Sequence, residues 1–220
     1  MRNRLSAGIA ALTAAGALLV LPAVPAGAAG STPVLTIAGT STAVGVGDTL
    51  AANLVSGTFA TMYNPGTTTG VKCSTSTIGG SVAVNPLATG SATASGPVGT
   101  LTFAGCTSNV TGVTGVNSLT MSNLPYTLSI SDSAGFPVSL TGTIQAAVNL
   151  KTLAGNALCT YSSTGGSLNG NATNTPPKIT MTNQPFTKLS GPSICFASIN
   201  FSAAYGPVTD TTLGGTVFVN

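Results

Sequence analysis

The chain has 220 residues, 43% of them apolar, with six Lys or Arg, three acidic residues and a formal net charge of +3. With no His and no Glu, it cannot build a Ser-His-Asp triad, a Cys-His pair or an imidazole metal site. Three scattered carboxylates do not assemble the paired acids of a glycosidase, and there is no clustered Lys and Arg to grip a nucleic acid.

Residues 1–28 read as an export signal, expected to be helical. Arg2 and Arg4 give a positive start, Leu5 to Val24 is rich in Ala and Leu, and Ala26-Gly27-Ala28 is an A-x-A cleavage site. Gly8, Gly16, Pro22 and Pro25 interrupt the run, which argues against a membrane-spanning helix. Cleavage between Ala28 and Ala29 leaves a mature chain near 4 − 3 = +1. The expected product is a secreted, extracellular protein, residues 29–220, with no membrane span in the mature chain.

Beyond the signal, apolar residues alternate with polar ones, the mark of strands with one dry and one wet face. Short alternating stretches occur at Leu35–Ile37, Leu119–Met121, Leu128–Ile130 and Ile179–Met181. From Val138 to Lys151 the even positions are apolar, except for Gly142, which predicts one long strand. Cys195, Ala197, Ile199, Phe201, Ala203 and Tyr205 predict another, with Cys195 facing the core. Breakers fall between them at Asn64-Pro65-Gly66, Gly79-Gly80, Gly96-Pro97, Ala134-Gly135, Asn169-Gly170, Pro176-Pro177 and Gly191-Pro192. Asn169-Gly170 reads as a type I′ hairpin turn. The expectation is an all-β fold, an antiparallel sandwich or barrel of about ten strands.

In an exported chain an even number of cysteines implies disulfides. Cys73, Cys106, Cys159 and Cys195 allow three connectivities. Pairing Cys73 with Cys106 and Cys159 with Cys195 closes the shortest loops and is favoured. Two fragments of the sequence also echo others. Cys73-Ser74-Thr75-Ser76 with Gly79-Gly80-Ser81 is matched by Cys159-Thr160-Tyr161-Ser162 with Gly165-Gly166-Ser167, 86 residues on. Leu119 to Thr127 is matched by Ile179 to Thr187, 60 residues on. A duplication into two similar halves, about 29–150 and 151–220, competes here with low-complexity coincidence, the stronger of the two readings.

The order Cys73, Phe103-Ala104-Gly105-Cys106, Leu124-Pro125-Tyr126 resembles small secreted bacterial proteins described as activators of alkane oxidation. Those carry an FxGxC-like stretch and a Leu-Pro-Trp, where this chain has Tyr126. The chain also resembles the small secreted β-proteins of unassigned function found in actinobacteria. The resemblance spans about 60 residues and implies an extracellular protein without catalytic machinery; it transfers no site.

Asp48, Asp132 and Asp210 stand in turn-like contexts, where a carboxylate capping its own backbone explains them better than calcium does. Ser and Thr are abundant, yet the only bases are Lys72, Lys151, Lys178 and Lys188, and neither G-x-S-x-G nor S-x-x-K occurs. Asn109, Asn171 and Asn200 match N-x-S/T at the frequency chance supplies. Most aromatics share the apolar parity of strands; Tyr63, beside Asn-Pro-Gly, and Tyr126, after Leu-Pro, are the candidate exposed binding residues. No catalytic residue, metal or cofactor is expected. The leading expectation is a non-catalytic protein acting by adhesion or self-association, its partner being itself, a cell-surface polymer or a hydrophobic surface. The alternatives are a binding module for a small apolar ligand, through a pocket at Met62, Tyr63 or Tyr126, and a Ser/Lys hydrolase.

Overall fold

The computed structural model describes residues 32–220, so the predicted export signal and its cleavage point lie outside the described residues. Within them, alternation in sequence becomes alternation in burial. Val138, Leu140, Ile144, Ala146, Val148 and Leu150 are all buried, as are Cys195, Ile199, Phe201, Ala203 and Tyr205.

Fifteen strands form among the described residues, with one short 3₁₀ turn at Thr164–Gly166. In chain order they are β1 (Leu35–Ile37), β2 (Thr49–Asn53), β3 (Ala60–Tyr63), β4 (Gly70–Ser81) and β5 (Thr93–Ser108). Next come β6 (Val113–Ser122), β7 (Tyr126–Ser131), β8 (Pro137–Thr141), β9 (Gln145–Thr152) and β10 (Gly155–Ser163). The last are β11 (Ser167–Asn174), β12 (Pro177–Ser190), β13 (Ser198–Tyr205), β14 (Thr209–Asp210) and β15 (Val217–Val219). The count exceeds the expected ten partly because β1, β14 and β15 have two or three residues, too few for a period of two to show. No helix among the described residues is long and apolar enough to cross a membrane.

The architecture is a closed eight-stranded antiparallel barrel with additional strands, in line with the expected all-β sandwich or barrel. Its order is β11-β8-β7-β5-β4-β3-β13-β12, and β12 pairs with β11 to close it. Long strands let the barrel share its wall with a second, incomplete ring. Strand β5 pairs with β7 through Thr93–Val98 and with β4 through Val98–Ser108. Strand β12 pairs with β11 through Pro177–Met181 and with β10 through Phe186–Ser190. From β10 the ladder continues through β9 to β6, which runs beside β5. Strand β2 adds to β4, β14 to β2, and β1 pairs with β15 as a separate ribbon.

Two four-stranded groups share part of a pairing pattern: β3-β4-β5-β6 and β9-β10-β12-β13. In each the first strand pairs with the second and the second with the third. The fourth strand reaches the other group: β6 pairs with β9, and β13, which also pairs with β12 in its own group, pairs with β3. Each group carries one disulfide, Cys73–Cys106 and Cys159–Cys195, so the favoured pairing is the observed one. A boundary near 150/151 would fall inside β9, and residues 31–220 form one compact unit.

The two sequence echoes separate here. The Cys73/Cys159 echo relates equivalent strands, β4 and β10. The Met-Ser-Asn and Met-Thr-Asn echo instead marks two places where the chain passes between the barrel and the second ring: from β6 to β7, and at the irregularity within β12 between Met181 and Gln184. Asn123 and Asn183 adopt positive φ at these points, 66° and 51°, a conformation that Asn tolerates better than most residues.

Some sequence expectations fail for a common reason. Asn169-Gly170 is not a hairpin turn but lies inside β11, paired with both β8 and β12. A β-carbon on Gly170 would collide with the Thr180 carbonyl, so glycine there permits close strand approach. Likewise Gly80 lies in β4 and Gly96 in β5, and side chains there would strike the carbonyls of Pro97 and Ser81. The strand expected from Val138 to Lys151 divides at Gly142 into β8 and β9, although its apolar parity continues across the break.

Candidate functional site

The aromatic residues mostly fill the core. Phe201 meets Phe103 and Phe186 edge-on, at centroid distances of 6.2 and 6.4 Å. Tyr205 is buried and its phenol lies 2.8 Å from Ser76 Oγ. Desolvation pushes the Tyr205 phenol up to about 12, against a smaller lowering by Ser76, and burial alone takes Tyr161 to about 12.

Tyr126 corrects the expectation of exposure. Its side chain is only 1% exposed, its hydroxyl donates to the Ser122 carbonyl, and burial raises its phenol above the ordinary value. The preceding Leu124–Pro125 bond is cis. Tyr126 opens β7 with the same parity as Leu128 and Ile130, which turns it inward.

Tyr63 differs. It is half-buried at the end of β3, with Asn200 of β13 as its partner on one side and Gly70 of β4 on the other. A β-carbon at Gly70 would lie 3.0 Å from Tyr63 Cδ1, so the ring leans over a residue with no side chain. Beside it is a cleft of about 290 Å³ that Tyr63 lines with Thr68, Lys72, Thr107, Ser108 and Asn109. That volume is near the lower end of the roughly 300–1,000 Å³ of small-molecule sites.

Hydrogen bonds fix the cleft. Asn109 Oδ1 accepts from the Gly70 N–H at 2.8 Å, and its Nδ2 donates to the Thr68 carbonyl at 3.0 Å. Ser108 Oγ donates to the Gly70 carbonyl at 3.1 Å and accepts from the Val110 N–H at 3.2 Å. Lys72 extends over the Phe59 ring, its Nζ 4.8 Å from the centroid. Of these residues only Tyr63 is singled out as a binding candidate by its sequence context. The others reach it through strand register, which pairs Lys72 with Thr107 one step from the Cys73–Cys106 link.

A second cleft is almost wholly apolar. Leu50, Ile78, Val98, Ile130, Ile179 and Val219 are among the residues lining about 100 Å³, with Lys178 the one charged residue on its border. This is less than the about 150 Å³ cavity that holds benzene, so it suits a single small apolar group. Met62 borders a gap of only about 20 Å³ against Val71, Tyr161 and Ile199, close to the volume of one water. The apolar pocket expected at Met62, Tyr63 or Tyr126 is therefore replaced by a polar cleft at Tyr63 and an apolar one elsewhere.

The three acids serve backbone. Asp48 accepts from Gly45 N–H, Asp132 from those of Thr89 and Gly90, and Asp210 from those of Thr212 and Leu213. Among the described residues no three acidic, His or Cys side chains group to hold a metal. Lys188 donates to the Cys195 carbonyl at 3.1 Å.

Protein-family models, curated proteins and solved structures were all compared with the chain, and none matches it.

Proposed function

We propose that this is an exported, non-catalytic protein that works by presenting surface, through adhesion or self-association. The observation that carries this reading is how little charge the outside holds. Asp132 and Asp210 are buried, which leaves Lys72, Lys151, Lys178, Lys188 and Asp48 as the Lys and Asp side chains on the surface of residues 32–220. Ser, Thr and Asn are prominent among the other exposed residues. Val46, Leu87, Leu213 and above all Leu153, which is 89% exposed at the β9–β10 turn, stand out in solvent. Few charges oppose association of such a surface with itself or with an apolar or polymeric one. The two disulfides support an oxidising destination.

Sizing the purified mature protein across concentration, alongside partition onto cell walls, polymers and oil–water interfaces, tests the reading. The expected result is concentration-dependent association or retention on at least one such surface. A strict monomer that ignores all of them overturns it. The small apolar ligand is a second reading, supported by the apolar cleft of about 100 Å³.

A further inference from the structure

We propose that the cleft beside Tyr63 is a binding subsite for a pyranose ring of a polysaccharide. This deepens the surface-presenting reading and rests on it. A sugar ring offers one or both faces of C–H groups and a rim of hydroxyls, each both donor and acceptor. The cleft offers a matching set. Tyr63 supplies an aromatic body with a polar tip, and its side chain leans over Gly70, which has no side chain of its own to push it away.

Around the tyrosine stand Thr68, Thr107, Ser108 and Asn109. The Asn109 amide is held at both ends by backbone, yet it keeps one N–H and one oxygen lone pair unspent. Its orientation is thus set before a ligand arrives, which lowers the ordering cost of binding. Thr68 and Thr107 are exposed, and their hydroxyls can serve either as donor or as acceptor. Lys72 adds the one charged donor, steadied over Phe59.

The composition of the cleft excludes other classes. Among the described residues no carboxylate lines it, because Asp48, Asp132 and Asp210 each cap a different loop; a cation therefore has no ligand set there. A single Lys does not neutralise the phosphates of a nucleic acid. Its lining of hydroxyls, an amide and an ammonium is too polar for an alkyl chain. Neutral hydroxyls around one aromatic, at a volume sufficient for a small ring, fit a saccharide.

The chain itself provides the readout. It has no Trp and four Tyr, and Tyr126, Tyr161 and Tyr205 are at most 3% exposed. Tyrosine emission that responds to an added sugar therefore reports on Tyr63. The mature disulfide-bonded protein is titrated with cellohexaose, chitohexaose and maltohexaose, and calorimetry repeats any positive titration. The expected result is a saturable change with at least one of them. Tyr63→Ala should weaken that binding about tenfold or more, as loss of an aromatic platform does, and Tyr63→Phe should largely restore it. Thr107→Trp, an exposed change that fills the cleft from β5, should abolish binding and covers the case in which Tyr63→Ala fails to fold.

Absence of a saturable response to all three sugars overturns the assignment, as does undiminished binding by Tyr63→Ala or Thr107→Trp. A wild-type protein that still adsorbs to cell walls or interfaces while ignoring the hexasaccharides removes the cleft assignment alone. One that neither adsorbs nor associates removes the broader reading as well.

Discussion

Ser76 Oγ and Tyr205 Oη meet at 2.8 Å in the core, joining β4 to β13 across 129 residues of sequence. Both side chains are 1% exposed. Tyr205→Phe removes the phenol and leaves the serine hydroxyl buried without it. The expected loss is about 1–3 kcal/mol, measured as a shift in the urea midpoint without a change in slope. Tyr205→Phe combined with Ser76→Ala should recover part of that loss, because the orphaned hydroxyl is then gone as well.

Buried phenols make the fold sensitive to alkali. Tyr161 and Tyr205 are raised from 10.0 to about 12 by desolvation. The folded state holds those protons where the unfolded state releases them. Their contribution is complete below pH 10 and falls as pH climbs from about 10 towards 12, by up to about 2–3 kcal/mol for each phenol. Thermal melts at pH 9 and pH 11, with Tyr161→Phe and Tyr205→Phe alongside, check this; the variants should lose less between the two pH values than the parent.

The two disulfides close loops of similar length, with sequence separations of 33 and 36. Loop-closure entropy then assigns them similar weights, about 2–4 kcal/mol each. Replacing Cys73 and Cys106 together by Ser should lower stability about as much as replacing Cys159 and Cys195 together. Denaturant midpoints of the two double variants make the comparison.

Gly170→Ala should destabilise by about 1–3 kcal/mol, since its β-carbon meets the Thr180 carbonyl in a packed ladder. Gly99, in β5, contrasts with it: a methyl group there would find nothing within 4 Å, and its φ is not positive. Gly99→Ala should therefore be neutral or slightly stabilising. Equal melting temperatures for the two variants would contradict the close-approach account of Gly170.

Much of the core is legible in the sequence because alternation is a local property. Val138 to Leu150 and Ile199 to Tyr205 declare their inward faces residue by residue. Strand breaks are harder to read. Glycine signals a turn when it supplies positive φ and a tight ladder when it supplies the absence of a β-carbon, and sequence does not separate the two uses; Gly170 reads as the first and serves the second. Tyr126 misleads because Leu-Pro suggests a loop, whereas its parity with Leu128 and Ile130 points inward. The Tyr63 cleft is only partly visible, since Thr68, Lys72 and Asn109 reach the tyrosine through pairings between strands. One route to it exists: Cys73 opposite Cys106 in an antiparallel pair places Lys72 opposite Thr107.

Strands β6 and β13 each reach the other group, β6 onto β9 and β13, already paired with β12, onto β3. A segment holding β3 to β6 alone would therefore leave β3 and β6 without the strands that cover their edges.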